Sequence, residues 1–362
     1  MKYLKPLYHN LEFKYNHLVG TGGIGSGIFF RLIGNNTIGR NESRLGELLR
    51  GKDYCKLHIV IHYLAILLGT KKNKFDIFPI GKVGDDDAGV FLIKEIQKLG
   101  INIKNIFKIP NTSTLFSVCF QYPDSTGGNI TSANSASSKV SEEDIISFFN
   151  EFKKDPKREI ILSLPEVPLS TRIKILEIGR SRGSFNIGSV SSFEIKELNY
   201  INGFALIDMI ILNIDEASSI AKLNDYKIDK IIRNLEIERD VSKIIKSCIS
   251  YLINKNINIM IVITNSSKGS YTYFKRDLRF IPVVDVNVKT TAGAGDAFLA
   301  GTIAGICCGL SFNSSVELGS FLASLSVISE DTINHEINLN YLKKFVEDNN
   351  ISFSTDLGEI FK

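Results

Sequence analysis

The sequence predicts an α/β protein with a mainly parallel sheet covered by helices on both faces. Two observations carry this reading. Beyond about Glu159, short apolar runs alternate with helical patterns. Runs such as Ile160-Ile161-Leu162-Ser163-Leu164 are apolar almost throughout, as strands buried on both faces are. A third observation places a site: at 293–295 a glycine-rich turn joins an extended stretch to a long apolar helix.

The elements follow in order. Leu18-Val19-Gly20-Thr21-Gly22-Gly23 reads as a short strand running into a glycine turn, and Arg40–Arg44 as a polar loop. His58–Leu68 has helical apolar spacing, and Phe75–Ile80 is a strand. An acidic start at Gly84–Asp87 and a final Gly100 bracket a helix over Ala88–Leu99, with Lys98 at the end that the helix dipole favours. Thr114–Tyr122 is a β-branched and apolar strand. The Ser/Asn/Gly-rich segment Pro123–Ser138 reads as a loop suited to a lid. Strands at Phe185–Ile187, Asp208–Leu212 and Asn256–Thr264 alternate with helices at Leu169–Arg180 and Asp215–Leu223. Tyr271–Val288 looks like short antiparallel strands, and Asp296–Gly309 like a long helix.

Composition narrows the function. The chain has 362 residues, 44% hydrophobic, with a net charge of +4 spread without basic runs. That balance argues against nucleic acid as a partner. The five cysteines have neither disulfide-framework nor zinc-ligand spacing and read as buried thiols. The start of the chain carries Lys2, Lys5, His9 and Glu12 instead of an unbroken apolar leader, and the apolar stretch His58–Gly69 is too short to span a bilayer. A cytoplasmic protein without a membrane partner is expected.

The chemistry concentrates in Lys289-Thr290-Thr291-Ala292-Gly293-Ala294-Gly295-Asp296-Ala297-Phe298. Small residues let an anion approach the backbone, and helix-start amides have no internal acceptors. Gly293, Ala294 and Gly295 are therefore candidate donors to a charged transferring group. A carboxylate beside an anion site needs a purpose, and proton removal from a hydroxyl supplies one, so Asp296 is the candidate base. The plain alternative is a turn with an Asp at the helix start.

Thr291–Phe298, followed by Ala300-Gly301, resembles the second signature of the ribokinase-like (PfkB) carbohydrate kinases. Asn213-Ile214-Asp215-Glu216 resembles that family's Asn-x-x-Glu motif, and Val262–Gly269 its nucleotide-lining strand and turn. The resemblance in element order spans about Leu18 to Ser329. It implies a three-layer α/β/α sandwich over 1–362, with a small β lid from segments within about 20–50 and 110–138. It also implies ATP and Mg2+: Thr291, Asn213, Thr264 and Gly269 at the nucleotide, and Glu216 holding the metal through water. Asp86, in the Gly81–Asp86 segment, reads as a helix cap.

The sequence also departs from the family. Thr290 stands where the signature usually has Asp. Gly23–Gly27 lacks the carboxylate that normally ends the first strand, and Lys52–His58 replaces the Gly-Gly turn followed by Asn. Basic residues stand near these gaps. Arg40, Asn41, Arg44, Lys56 and His58 are the acceptor candidates, with an anionic group as the expected feature of the acceptor. The expected function is ATP-dependent phosphorylation of a sugar-like hydroxyl, with a homodimer through the lid as a further expectation. Two alternatives remain open: a nucleoside or vitamin kinase of the same fold, and a non-catalytic sugar- or nucleotide-binding regulator.

Overall fold

The computed structural model describes residues 3–7, 12–70, 75–124, 126–233, 237 and 239–361, so Lys2, His9 and Ser125 lie outside the described residues. The chain runs through β1 (His17–Thr21), β2 (Gly25–Leu32), β3 (Gly46–Tyr54), α1 (Lys56–Leu68), β4 (Asp76–Gly84), α2 (Asp87–Lys98), β5 (Ile106–Ile109), β6 (Leu115–Gln121), β7 (Gly127–Thr131) and α3 (Glu142–Glu151). It continues through β8 (Glu159–Ser163), α4 (Leu169–Arg182), β9 (Phe185–Gly188), α5 (Ile195–Tyr200), β10 (Met209–Asn213), α6 (Ile214–Leu223), α7 (Lys230–Arg233), α8 (Arg239–Lys255) and β11 (Met260–Thr264). It closes with β12 (Ser270–Phe274), β13 (Asp277–Ile281), α9 (Ala294–Cys308), α10 (Phe312–Ser326), α11 (Leu339–Asp348) and α12 (Thr355–Phe361).

The larger sheet has nine strands in the order β13-β12-β11-β10-β9-β8-β1-β4-β5. Strands β11 to β5 pair in parallel, and β12 and β13 extend the sheet antiparallel. Successive side chains on a strand face opposite ways, so apolar runs feed two cores at once. Leu18, Ile160, Leu162 and Met209 enter one apolar cluster with α1, α9 and α10. Val19, Ile161 and Ile210 enter the other with α4, α6 and α8. Each fully buried Leu, Ile or Phe in these layers contributes ~1.5–3 kcal/mol. Close packing of α9 on α10 depends on two glycines: a Cβ on Gly301 would lie 2.8 Å from the Gly319 Cα.

A smaller sheet, ordered β3-β2-β6-β7, stands apart from the first. Its central pair, β2 and β6, is parallel and its outer pairs are antiparallel. The window expected for the lid up to 50 ends inside β3, which runs to Tyr54.

Several boundaries differ from expectation, each for a local reason. The 123–138 segment is not one loop: β7 pairs with β6 across Gly127–Thr131. The strand expected from Phe75 extends to Gly84 because β5 pairs with its second half. The strand expected from Asn256 begins at Met260, since the Asn256 side chain closes a turn by donating to the Ile207 carbonyl and accepting from Asn258 N–H. The antiparallel region ends at Ile281, before Pro282, and not at Val288. The long helix starts at Ala294, two residues before Asp296. As expected, Asp86 caps α2, accepting from Gly89 N–H at 2.8 Å, and the five cysteines are buried and free. No helix among the described residues is long and apolar enough to cross a membrane.

Candidate active site

Parallel strands end together, and crevices outside their carboxyl ends are where α/β proteins place ligands. Here the ends of β8 and β10, the start of α1 and the turn before α9 surround a cleft of about 940 Å³. Lid residues from β2, β3, β6 and β7 form its other wall.

The turn before α9 is built for close approach. Gly293 is the N-cap, with φ of 78°, a left-handed conformation that favours glycine. Thr332 packs against it so tightly that a Cβ would meet the Thr332 carbonyl at 2.8 Å. At Gly295 a Cβ would meet nothing within 4 Å, so the space above the helix start is open. The Ala294 N–H is partly engaged by the Thr291 carbonyl at 3.3 Å. Thr290 Oγ1 accepts from Ala292 N–H at 3.3 Å, so the residue replacing the usual Asp closes the turn locally.

Asp296 is the third residue of α9, and its side chain, 14% exposed, lines the cleft. Lys56, in the first turn of α1, brings its Nζ to 3.8 Å from Asp296 Oδ1. Burial pushes the Asp296 carboxyl above its ordinary value; the Lys56 ammonium pulls it down and the Asp53 charge pushes it up. The pairing in turn holds Lys56 above its ordinary value, against the effect of burial.

Two further carboxylates face this pair. Glu166, just past β8, accepts from Lys56 N–H at 3.1 Å and is pushed up to about 7, chiefly by burial. A side chain on Gly23 would collide with it, since a Cβ there would lie 2.2 Å from Glu166 Oε2. Asp53, at the end of β3, is buried; burial raises its pKa while Ser117, Cys119 and Lys56 oppose the shift.

On the other side, Asn213 and Glu216 form a reciprocal cap on α6: Asn213 Oδ1 accepts from Glu216 N–H and Glu216 Oε2 from Asn213 N–H. Burial pushes Glu216 up to about 7. Thr264 is the register partner of Asn213 on β11, and its hydroxyl donates to the Leu212 carbonyl at 3.3 Å. Gly269 adopts φ of 100°, and a Cβ there would strike the Phe280 ring at 2.6 Å. These residues share one sheet edge, although Thr264 and Gly269 do not line the cleft itself.

The profile of the "pfkB family carbohydrate kinase" matches residues 63–338. The chain belongs to the PfkB carbohydrate kinase family. The match begins inside α1, so the lid strands β2 and β3 and the residues Asp53 and Lys56 precede it. A deoxyribokinase of Salmonella typhimurium is 25% identical over 233 residues, 64% of this chain and 69% of that protein. An adenosine kinase of Saccharomyces cerevisiae is 31% identical over 120 residues, 33% of each. Among solved structures, a ribokinase of Cryptococcus neoformans in complex with ADP aligns with a TM-score of 0.72 and 17% identity, covering 91% of this chain and 99% of that one. A Burkholderia thailandensis nucleoside kinase in complex with inosine aligns with a TM-score of 0.68 and 16% identity, covering 91% and 98%. The fold is thus the ribokinase-like α/β/α sandwich with a small β lid, and this PfkB member is a kinase by family.

Within this PfkB chain the sequence-predicted residues fall into two groups. The structure brings Asn213, Lys56, Thr291, Gly293 and Asp296 to the cleft, with Ala294, Gly295 and Glu216 beside it. It does not bring Arg40, Asn41, Arg44 or His58 there. The first three belong to the β2–β3 loop, where Arg44 donates to the Asn35 and Thr37 carbonyls and pairs with Glu42, so its donors shape its own loop. His58 points into the core against Tyr54 and His62, and burial lowers it to about 3, so it stays uncharged. Of the basic residues expected at the acceptor, Lys56 lines the cleft, and Arg31, Arg50 and Lys289, which were not singled out, line it too.

Sequence reasoning missed Asp53 and Glu166. Glu166 had a readable signal, as a carboxylate just beyond the end of a strand with an apolar centre. Asp53 had none, because it sits in the stretch that replaces a recognisable motif.

Proposed function

We propose that this chain transfers the γ-phosphoryl group of ATP to a hydroxyl of a sugar or nucleoside, with Asp296 as the base. The observation that carries this is the placement of Asp296: a mostly buried carboxylate facing the cleft at the start of α9, directly after an open, left-handed glycine turn. In this reading Asp296 accepts the proton of the acceptor hydroxyl. The acceptor oxygen bonds to the γ-phosphorus as the bridging bond to the β-phosphate breaks, and ADP leaves. Amides of Gly293, Ala294 and Gly295 hold the charge that develops on the transferred group. Lys56 favours the ionised form of Asp296 against the effect of burial. Thr291, Asn213, Thr264 and Gly269 border the nucleotide.

The donor set also fits Mg2+. Among the described residues no group of three or more His, Cys, Asp or Glu forms a metal cage. A single carboxylate, Glu216 with Asn213 beside it, suits an ion that keeps its waters and takes its other ligands from phosphates. Such an ion would be held beside Glu216 and Asn213 and would offset phosphate charge.

A nucleoside acceptor is favoured by one feature: Phe29, on the same face of the lid sheet as Gly27 and Ser117, lines the cleft, where a base could stack. The relatives named as deoxyribokinase and adenosine kinase leave both acceptor types in play. We further place the protein in the cytoplasm, acting as one unit with its lid. Pairing of two copies through the lid is supported by the exposed Leu48, Phe116 and Ile130 on its strands.

The test is ATP consumption with a panel of sugars, sugar phosphates and nucleosides. Turnover with one acceptor, lost in Asp296→Ala while ATP still binds, is expected. No turnover with any acceptor, and unchanged ligand binding in Asp296→Ala, would assign the chain to the non-catalytic regulators.

A further inference from the structure

Asp53, Gly27 and Ser117 form one row across three lid strands, for Gly27 is the register partner of Asp53 on β3 and of Ser117 on β6. With no side chain at the middle position, the outer two meet across it. Asp53 Oδ2 accepts from the Ser117 hydroxyl and from Cys119 Sγ at 3.4 Å. A Cβ on Gly27 would lie 2.2 Å from Ser117 Oγ and 2.9 Å from Asp53 Oδ2, so the glycine makes room for the carboxylate.

The position of Asp53 is also tied to the glycine turn before α9. Its two chain neighbours are clamped from one loop: Lys52 N–H donates to Asp331 at 2.7 Å, and Tyr54 N–H donates to the Thr332 hydroxyl at 2.8 Å. Thr332 is the residue packed on Gly293. A buried carboxylate on a lid strand, lining the cleft and held in register with the turn that precedes Asp296, is costly to desolvate, and hydroxyl donors from a ligand would offset that cost. A carboxylate offers about four acceptor positions, and its two lid donors occupy one oxygen.

We propose that Asp53 is an acceptor-binding and specificity residue: it accepts hydrogen bonds from the hydroxyls of a neutral, hydroxyl-rich ring, either a free sugar or the sugar of a nucleoside. Charge at this end of the cleft selects the same class. Asp53 stands near the Asp296 carboxylate, whose charge Lys56 already engages, while Arg31, Arg50 and Lys289 also line the cleft. A phosphorylated acceptor would meet like charge beside Asp53. The inference rests on the kinase reading for its setting, but it concerns binding and is tested by binding.

The experiment is calorimetric titration of D-ribose, inosine and D-ribose 5-phosphate into the full chain with ADP present, using wild type, Asp53→Asn and Ser117→Ala. Ribose or inosine should bind, and which of them binds separates the free sugar from the nucleoside. Ribose 5-phosphate should bind at least ~10-fold more weakly than ribose, as expected when a charged contact turns repulsive. Asp53→Asn should weaken the neutral probe ~10- to 100-fold, the range for a hydrogen bond to a charged group. ADP affinity should not change. Ser117→Ala, which only loosens the carboxylate, should weaken the same probe by a few-fold, and it decides the matter if Asp53→Asn does not fold. Unchanged affinity of the neutral probe in the variants, a parallel loss of ADP binding, tighter binding of ribose 5-phosphate, or no binding of either neutral probe would overturn the assignment. If ribose or inosine binds in the expected pattern without being phosphorylated, the kinase reading fails and the role of Asp53 stands.

Discussion

Replacing Asp296 by Asn removes a base while nearly preserving shape. General-base catalysis is worth ~10²- to 10⁴-fold, so kcat should fall by that factor, ~3–5 kcal/mol of barrier. The neighbouring charge changes too. At 3.8 Å, the attraction between Lys56 and Asp296 is ~1 kcal/mol in water-like surroundings and ~4 kcal/mol at an effective dielectric of about 20. Lys56 is 36% exposed, so the smaller figure applies after solvent screening, and the variant should fold normally. The assay couples ADP release to a chromogenic readout with an accepted sugar or nucleoside, and measures ATP affinity by calorimetry. ATP affinity should hold, since the helix-start amides and the Asn213–Glu216 cap are untouched. A kcat loss below ~10-fold, or a matching loss of ATP affinity, would show that Asp296 is not the base.

Lys56→Met should move the acidic limb of the kcat/KM profile to higher pH: the ammonium favours the carboxylate form of Asp296, and without it that form is lost at a higher pH. A limb that stays in place or moves down would contradict this. Glu166→Gln should gain stability relative to wild type as pH rises. The wild-type carboxyl keeps its proton up to about 7 when folded but releases it near 4.5 when unfolded, so its favourable contribution is present at low pH and lost across that window. Melting temperatures of the two proteins that run parallel through the window would refute it. Gly293→Ala should lower kcat by ~10²-fold through displaced amides. It should also cost ~1–3 kcal/mol, because alanine disfavours a positive φ and its Cβ would meet Thr332. Wild-type turnover and melting would exclude a structural role for the glycine turn.

Much of the fold was legible because the information is local. Ile160-Ile161-Leu162 reads as a doubly buried strand since each residue feeds one of two cores, whichever helices close them. Asp86 reads as a cap because its partner Gly89 is three residues away. The smaller sheet was only partly legible. In β3, Gly46-Glu47-Leu48-Leu49-Arg50 is mostly exposed, so burial leaves little pattern, and the strand is defined by pairing with β2. Four of the five acceptor candidates, all but Lys56, lie away from the cleft for a related reason. Arg40 and Arg44 have the right chemistry for an anion, but where a loop side chain points depends on the carbonyls it can reach, and Arg44 reaches those of Asn35 and Thr37.

By itself the sequence determined the parallel α/β architecture and the kinase family, and it singled out the residues proposed for the phosphate side. These rest on contiguous segments, from Thr291 to Phe298 and from Asn213 to Glu216, in which spacing alone sets a helix start, its orphan amides and the carboxylate beside them. Only the tertiary structure assembled the end of the cleft proposed for the acceptor. There Asp53, Ser117, Glu166, Asp296 and Thr332 come from β3, β6, the loop after β8, α9 and the loop after α10. Residues so far apart in the chain carry no shared spacing. What unites them is strand register, a missing side chain at Gly27 and a clamp at Asp331 and Thr332, and each of these exists only once the chain has folded.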